Sequence, residues 1–268
     1  MAPSAVTLRP MRILLVLSLL STLACSGGSE PAFRPRREGD RVEREEPAAE
    51  AEPARPAAPP PAAPPAAIEP EVAGREGIDP ALLDPSRWTE RAPDTFAVEL
   101  TTSEGPVIID VTRAWAPNGA DRFYNMVRSG LLADVAFFRV VEGFMAQGGI
   151  PGTPALARAW NSASIPDDPR VESNLPGMVS FAATRMPNSR SVQFFINLED
   201  NSRLDGMGFA PFGRVRDMTA VGRLYAGYGD GAPMGRGPDQ ARIVREGNAY
   251  LRSEFPELDY IERARVLP

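Results

Sequence analysis

The 268-residue chain carries 29 Lys and Arg against 35 Asp and Glu, a formal charge of −6, with no histidine and one cysteine. Those totals exclude Ser-His-Asp and Cys-His catalysis, His-ligated zinc and any internal disulfide, since each needs residues that are missing. They give no basic footprint for nucleic acid, which is not expected as a partner.

At the start of the chain, Arg9 and Arg12 precede an apolar run from Ile13 to Leu20, and Ser21-Thr22-Leu23-Ala24 leads into Cys25. A bilayer core asks for about 20 apolar residues, so this shorter run reads as a signal peptide over 1–24. Ala24-Cys25 resembles the lipobox of bacterial lipoproteins, with Thr22 where leucine is most common, and Cys25 is the expected lipidation site. A secreted chain with an incidental cysteine is the alternative, and Met11 offers a second start. Residues 25–85 then turn to charge and to Pro, Ala and Glu, a composition that favours extended polyproline II and cannot fold alone. At about 3.1 Å per residue, such a linker reaches up to roughly 150–180 Å. The expected location is therefore the cell envelope, lipid-anchored to a bacterial membrane and facing the periplasm or exterior.

One folded domain is expected over 86–268, because only this region is rich enough in apolar residues to bury a core. Phe96, Val98 and Leu100 alternate with polar neighbours, Ser103-Glu104-Gly105 turns the chain, and Val107, Ile109 and Val111 alternate again, which predicts a β-hairpin. After Pro117 the period changes: Ala120, Phe123, Tyr124, Val127 and Leu131 recur at helical spacing. Phe137 to Gly149 predicts two short strands about a turn at Glu142-Gly143, and the chain then reads as irregular through Trp160. Asp167-Asp168-Pro169 lacks the spacing of a calcium loop and reads as a solvated loop, so no metal or cofactor is expected. Strands follow at Gly177–Ala182, Val192–Asn197, Phe209–Val215 and Ile261–Leu267, with a second helix at Met218–Tyr225. Between them an insertion at about 228–258 opens on a glycine-rich loop with no phosphate-loop lysine. It continues into a helix capped by Asp239 and ended by Pro256, with Gly247 inside. Many short strands with few helices predict a sandwich or closed barrel.

Four runs are more specific than any periodicity: Phe137-Phe-Arg-Val-Val-Glu-Gly-Phe-Met-Ala-Gln-Gly-Gly149, Gly177-Met-Val-Ser-Phe-Ala182, Ser191-Val-Gln-Phe-Phe-Ile196, and Leu204-Asp-Gly206 with Phe212-Gly-Arg-Val215. In this order they resemble the cyclophilins, a family of peptidyl-prolyl cis-trans isomerases, over about Phe96 to Leu267. The resemblance implies a mainly β fold: a closed eight-stranded antiparallel β-barrel capped by two α-helices. It makes Arg139, Phe144 and Gln147 the expected catalytic residues. Met145, Ala182, Gln193, Phe195, Leu204 and Phe209 would bind substrate, the proline-containing segments of exported proteins, and the chain is expected to be monomeric.

Read singly, Phe144 or Leu204 fits ordinary barrel core better than a pocket. Arg139 and Gln147 do not, because a polar group on so apolar a run is costly unless paired. Some positions depart from the family pattern: Phe138 stands where many members have histidine, Arg203 where cyclosporin-sensitive members have tryptophan, and Phe209 or Gly208 replaces a groove histidine. Ala183 and Thr184 stand where an asparagine is usual. Isomerase activity with weak cyclosporin binding is expected. A proline-segment chaperone or scaffold with little turnover, and an envelope spacer protein, are the alternatives.

Overall fold

A computed structural model of the chain describes residues 78–268. The expected signal peptide over 1–24, Cys25 and most of the expected linker over 25–85 lie outside the described residues. The alternating runs become β1 (Thr95–Thr102) and β2 (Gly105–Thr112), paired from Thr95↔Thr112 to Thr102↔Gly105. The remaining strands are β3 (Val135–Ala136), β4 (Arg139–Val141), β5 (Met145–Gly148), β6 (Met178–Phe181), β7 (Phe194–Asn197), β8 (Pro211–Val215) and β9 (Tyr260–Val266). They form one antiparallel sheet of nine strands in the order β3-β9-β1-β2-β8-β6-β7-β5-β4.

The strand count corrects the expected eight. Val135–Ala136 pairs with β9, whereas Arg139–Val141 pairs with β5, so hydrogen bonding divides one run of chain into two strands. Only Phe137 and Phe138 separate the two, and they are the outermost strands of the order. The sheet therefore curls until its ends are successive in the chain.

Alternation then sorts the side chains. Val98, Leu100, Val107, Ile109, Val140, Ala146, Val179, Phe181, Phe194 and Ile196 face a common interior. Helix α1 (Pro117–Arg128) adds Phe123, whose ring meets Phe194 edge-on at 5.5 Å and 76°. Its N-terminal amides at Asn118 and Gly119 donate to the Asp168 carboxylate at 3.0 and 2.8 Å, a cap supplied from outside the helix. This corrects the solvated-loop reading: Asp168 is only 8% exposed, and Asp167 pairs with Arg190. Among the described residues, no group of acidic, histidine or cysteine side chains is placed to hold a metal ion.

Two further readings change. Met218–Tyr225 forms only a 3-10 turn over Val221–Arg223, because Leu224 leaves at φ −54°, ψ 134°. The stretch read as irregular contains α2 (Pro154–Asn161), with proline at its first turn and Trp160 buried, the Trp160 Nε1–H donating to Leu82 O at 2.7 Å.

The segment read as an insertion carries two helices rather than one, α3 (Gln240–Glu246) and α4 (Asn248–Glu254). Gly247 separates them at φ 65°, ψ −150°, where a Cβ would stand 2.8 Å from Pro154 Cδ. Asp239 caps α3 as expected, its Oδ1 accepting from Arg242 N at 2.9 Å. Ile243, Tyr250 and Leu251 pack with Phe138, Ile150 and Ala157 in a second small core. The described residues thus hold four α-helices, two of them in this segment. None of them is long and apolar enough to cross a membrane.

Candidate active site

The outer face of the curled sheet carries a groove of about 480 Å³ beside β4, β5 and β7. Its position follows from register. Arg139 on β4 lies directly opposite Gln147 on β5, and Gln147 lies opposite Phe195 on β7, so three strands bring these side chains into one row. Because strand side chains alternate faces, Phe194 and Ile196 enter the interior while Phe195 points out with Met145. Met145, Phe195 and Leu204 form a separate apolar cluster, flanked by Val141, Phe144, Ala182 and Phe209. These residues are therefore not barrel core, which corrects the reading that Phe144 and Leu204 favour when taken singly.

A polar relay crosses the floor. Arg139 Nη1 donates to Gln147 Oε1 at 2.9 Å, and Gln147 Nε2 donates to Gln193 Oε1 at 2.8 Å. The first bond fixes the orientation of the Gln147 amide, which in turn fixes what Gln193 offers. Gln147 is 5% exposed, so both ends of its amide need the partners they have. Arg139 keeps 23% of its side chain exposed, and its guanidinium lies 5.7 Å from the Phe144 ring centroid. On the same ring Arg203 sits at 4.7 Å, so Phe144 contacts two cations within the range of cation–π attraction.

The far wall is Leu204 and Phe209, with Phe209 edge-on to Phe195 at 5.7 Å and 74°. Three wholly buried asparagines seat this wall. Asn174 Nδ2 donates to Asp205 Oδ1 at 2.8 Å and to Phe209 O at 2.9 Å, while its Oδ1 accepts from Ser180 Oγ at 2.8 Å. Asn201 Nδ2 donates to Phe144 O at 2.7 Å and to Asn197 Oδ1 at 2.9 Å. Asp205 is held ionised below its ordinary range: burial pushes its carboxyl up, but donors from Ser173 and Asn174 outweigh that. Its bonds tie down the 3-10 turn Ser202–Met207 that carries Leu204.

All nine groove residues expected from the sequence line this one cavity: Arg139, Phe144, Met145, Gln147, Ala182, Gln193, Phe195, Leu204 and Phe209. The tenth, Cys25, is outside the described residues. Sequence reasoning missed Asn161, Ser189, Ser191 and Gln240, which also line the cavity, and the asparagines beneath it. Gln240 comes from the inserted α3, which no barrel pattern would have pointed to.

The family model described as "Cyclophilin type peptidyl-prolyl cis-trans isomerase/CLD" matches residues 97–232. A peptidyl-prolyl cis-trans isomerase of Streptomyces antibioticus is 34% identical over 148 residues, covering 52% of this chain and 87% of the relative. Peptidyl-prolyl cis-trans isomerase B of Escherichia coli is 30% identical over 172 residues, covering 61% and 94%. Among solved structures, a cyclophilin-type isomerase of Cryptosporidium parvum aligns with a TM-score of 0.48 at 17% identity, covering 65% of this chain and 98% of the other.

Proposed function

The chain belongs to the cyclophilin-type peptidyl-prolyl cis-trans isomerases, and we propose that the groove on its outer sheet face turns X-Pro bonds in exported polypeptides. The reading includes a tether: lipidation at Cys25 and a linker over 25–85 would hold the domain, residues 86–268, at the cell envelope. It also takes the curled sheet as the family's closed eight-stranded barrel, β3 and β4 being halves of one broken strand.

Turning an amide means losing its resonance, a barrier of about 18–20 kcal/mol, and X-Pro bonds left alone exchange over tens to hundreds of seconds. No proton has to move, so a chain without histidine is equipped for the task. The apolar side chains of Phe144, Met145, Phe195, Leu204 and Phe209 would hold the pyrrolidine ring away from water. Arg139 would donate to the prolyl nitrogen as that atom pyramidalises. The donor then meets a better acceptor in the twisted amide than in either planar form, which is the condition for lowering a barrier. A water-poor pocket strengthens that bond. A thousandfold enhancement asks for only about 4 kcal/mol of such differential stabilisation. Gln147 and Gln193, linked to Arg139, would take the substrate backbone, with Ala182 at the rim.

The observation that carries this reading is the Arg139–Gln147–Gln193 relay laid across an apolar groove on the solvent side of the sheet. An NMR exchange assay on an Ala-Pro peptide tests it. Wild type should broaden or exchange the cis and trans signals, and Arg139→Ala should lose most of that activity while still binding the peptide. Wild-type turnover in the variant would overturn the role given to Arg139. Labelling whole cells with an alkyne palmitate tests the tether, which predicts incorporation into wild type and none into Cys25→Ser.

A further inference from the structure

The glycine-rich start of the insertion has no part in the sheet, yet it reaches the groove. Asp230 accepts from Arg139 Nε at 2.8 Å and from Arg139 Nη2 at 3.3 Å, a forked contact across 91 residues of chain. Asp230 is the second anchor of the guanidinium, Gln147 being the first. A guanidinium has five N–H donors. Asp230 takes one on Nε and one on Nη2, and Gln147 takes one on Nη1. One N–H on each terminal nitrogen remains.

The glycines explain how Asp230 is held. Gly237 N donates to Asp230 O at 2.8 Å, and a Cβ at Gly237 would stand 2.9 Å from the same oxygen. A Cβ at Gly235 would collide with it outright. The chain is wound round the Asp230 backbone too closely for any side chain, which fixes the carboxylate over β4. Next to it, Tyr228 is clamped edge-on between Tyr225 and Phe255, with ring centroids 5.0 Å from each. Stability does not account for this arrangement. With Asp230 41% exposed, the pair belongs to the class worth about 0–1 kcal/mol.

We propose that Asp230 is a positioning residue for Arg139: it grips the Nε/Nη2 edge so that the free terminal N–H groups stay aimed at the prolyl amide. A single hydrogen bond from Gln147 leaves the guanidinium plane free to swing, whereas two anchors on different edges hold it. This rests on Arg139 acting as the donor to the reacting bond. Misplacing a reacting group by about 1 Å can cost up to ~100-fold. Loss of one of two anchors should cost about tenfold.

The test measures exchange of an Ala-Pro tetrapeptide by wild type, Asp230→Ala, Asp230→Asn, Gly235→Ala, Arg139→Ala and the Arg139→Ala/Asp230→Ala double variant. Asp230→Ala and Gly235→Ala should lower kcat about tenfold with KM within about twofold, since the interaction acts on the twisted state. Asp230→Asn, isosteric and still an acceptor, should fall between. The double variant should be no slower than Arg139→Ala. In ¹⁵N spectra the Arg139 Nε–H signal should be sharp in wild type and lost to exchange in Asp230→Ala, a readout that loosening elsewhere would not move. Unchanged or faster turnover in Asp230→Ala would overturn the proposal, as would a further loss in the double variant. Full activity in Arg139→Ala would instead sink the role of Arg139 itself, so the two failures are distinguishable.

Discussion

Asn174 is where the groove depends most on a residue that never touches substrate. Its side chain is wholly buried, and Asn174→Ala removes a donor to Phe209 O, a donor to Asp205 Oδ1 and the acceptor for Ser180 Oγ. Asp205 keeps the Asn174 backbone amide at 3.0 Å and the Ser173 hydroxyl, so its oxygens are not stranded. Ser180 Oγ and Phe209 O do lose their partner. A buried polar group left bare costs about 1–3 kcal/mol, so two give roughly 2–6 kcal/mol. For a domain of this size, a loss near 4 kcal/mol lowers the thermal midpoint by roughly 8–16 °C. Urea unfolding should show a lower midpoint at unchanged slope. Below the transition KM should rise more than kcat falls, because the bonds lost seat Phe209 and the Leu204 turn rather than Arg139. A stability loss under about 1 kcal/mol would refute the reasoning, since it would mean that the stranded groups find new partners at no cost.

Gly149 sits at φ +108°, and a Cβ there would stand 2.9 Å from Gln193 Cα. Gly149→Ala should lose at least about 2 kcal/mol in chemical unfolding and slow turnover by displacing Gln193 from Gln147. Asp205 has a folded pKa below the usual 3.8, so it contributes stability that is present above that value and lost as pH falls through the folded pKa. Acid titration of stability should therefore be steeper in wild type than in Asp205→Asn at low pH, followed by circular dichroism. Histidine is the one side chain whose ordinary pKa puts its charge change between pH 5 and 8, and the chain has none. kcat/KM should accordingly stay flat from about pH 6 to 8, and a titration midpoint in that window would show a group outside this mechanism.

The parts legible in sequence were those written into short-range pattern. β1 and β2 announce themselves by strict alternation about a turn, and α1 by its period after Pro117. The nine groove residues were reached through motif resemblance, and the strand registers explain why the motif works: Arg139, Gln147 and Phe195 are consecutive rungs across three strands. What pattern cannot show is polar contact between segments distant in the chain. Asn174 lies in an irregular stretch, and Asp168 caps a helix 49 residues away. Asp230 meets Arg139 across 91 residues. The missed α2 is a different case, because Thr153-Pro154 followed by helix-forming residues was a usable start signal. Met218–Tyr225 erred the other way: its apolar spacing reflects burial of Val221 and Leu224 around a single 3-10 turn.

One departure from the family pattern, Phe138, gains a cause once the 228–258 segment is placed. Phe138, where a histidine is common, is 1% exposed and packs with Ile243, Tyr250 and Leu251. An imidazole there would be buried in a largely apolar cluster, a cost that phenylalanine avoids. One residue along, Arg139 opens β4 and meets Asp230 from the same segment. The 228–258 segment thus bears on two successive residues at once, burying Phe138 and gripping Arg139. Such a segment cannot be removed as a neutral surface loop. Excising 228–258 would expose Phe138 and free the guanidinium in the same step, coupling a loss of stability to a loss of turnover. Point changes at Asp230 and Phe138 should separate the two.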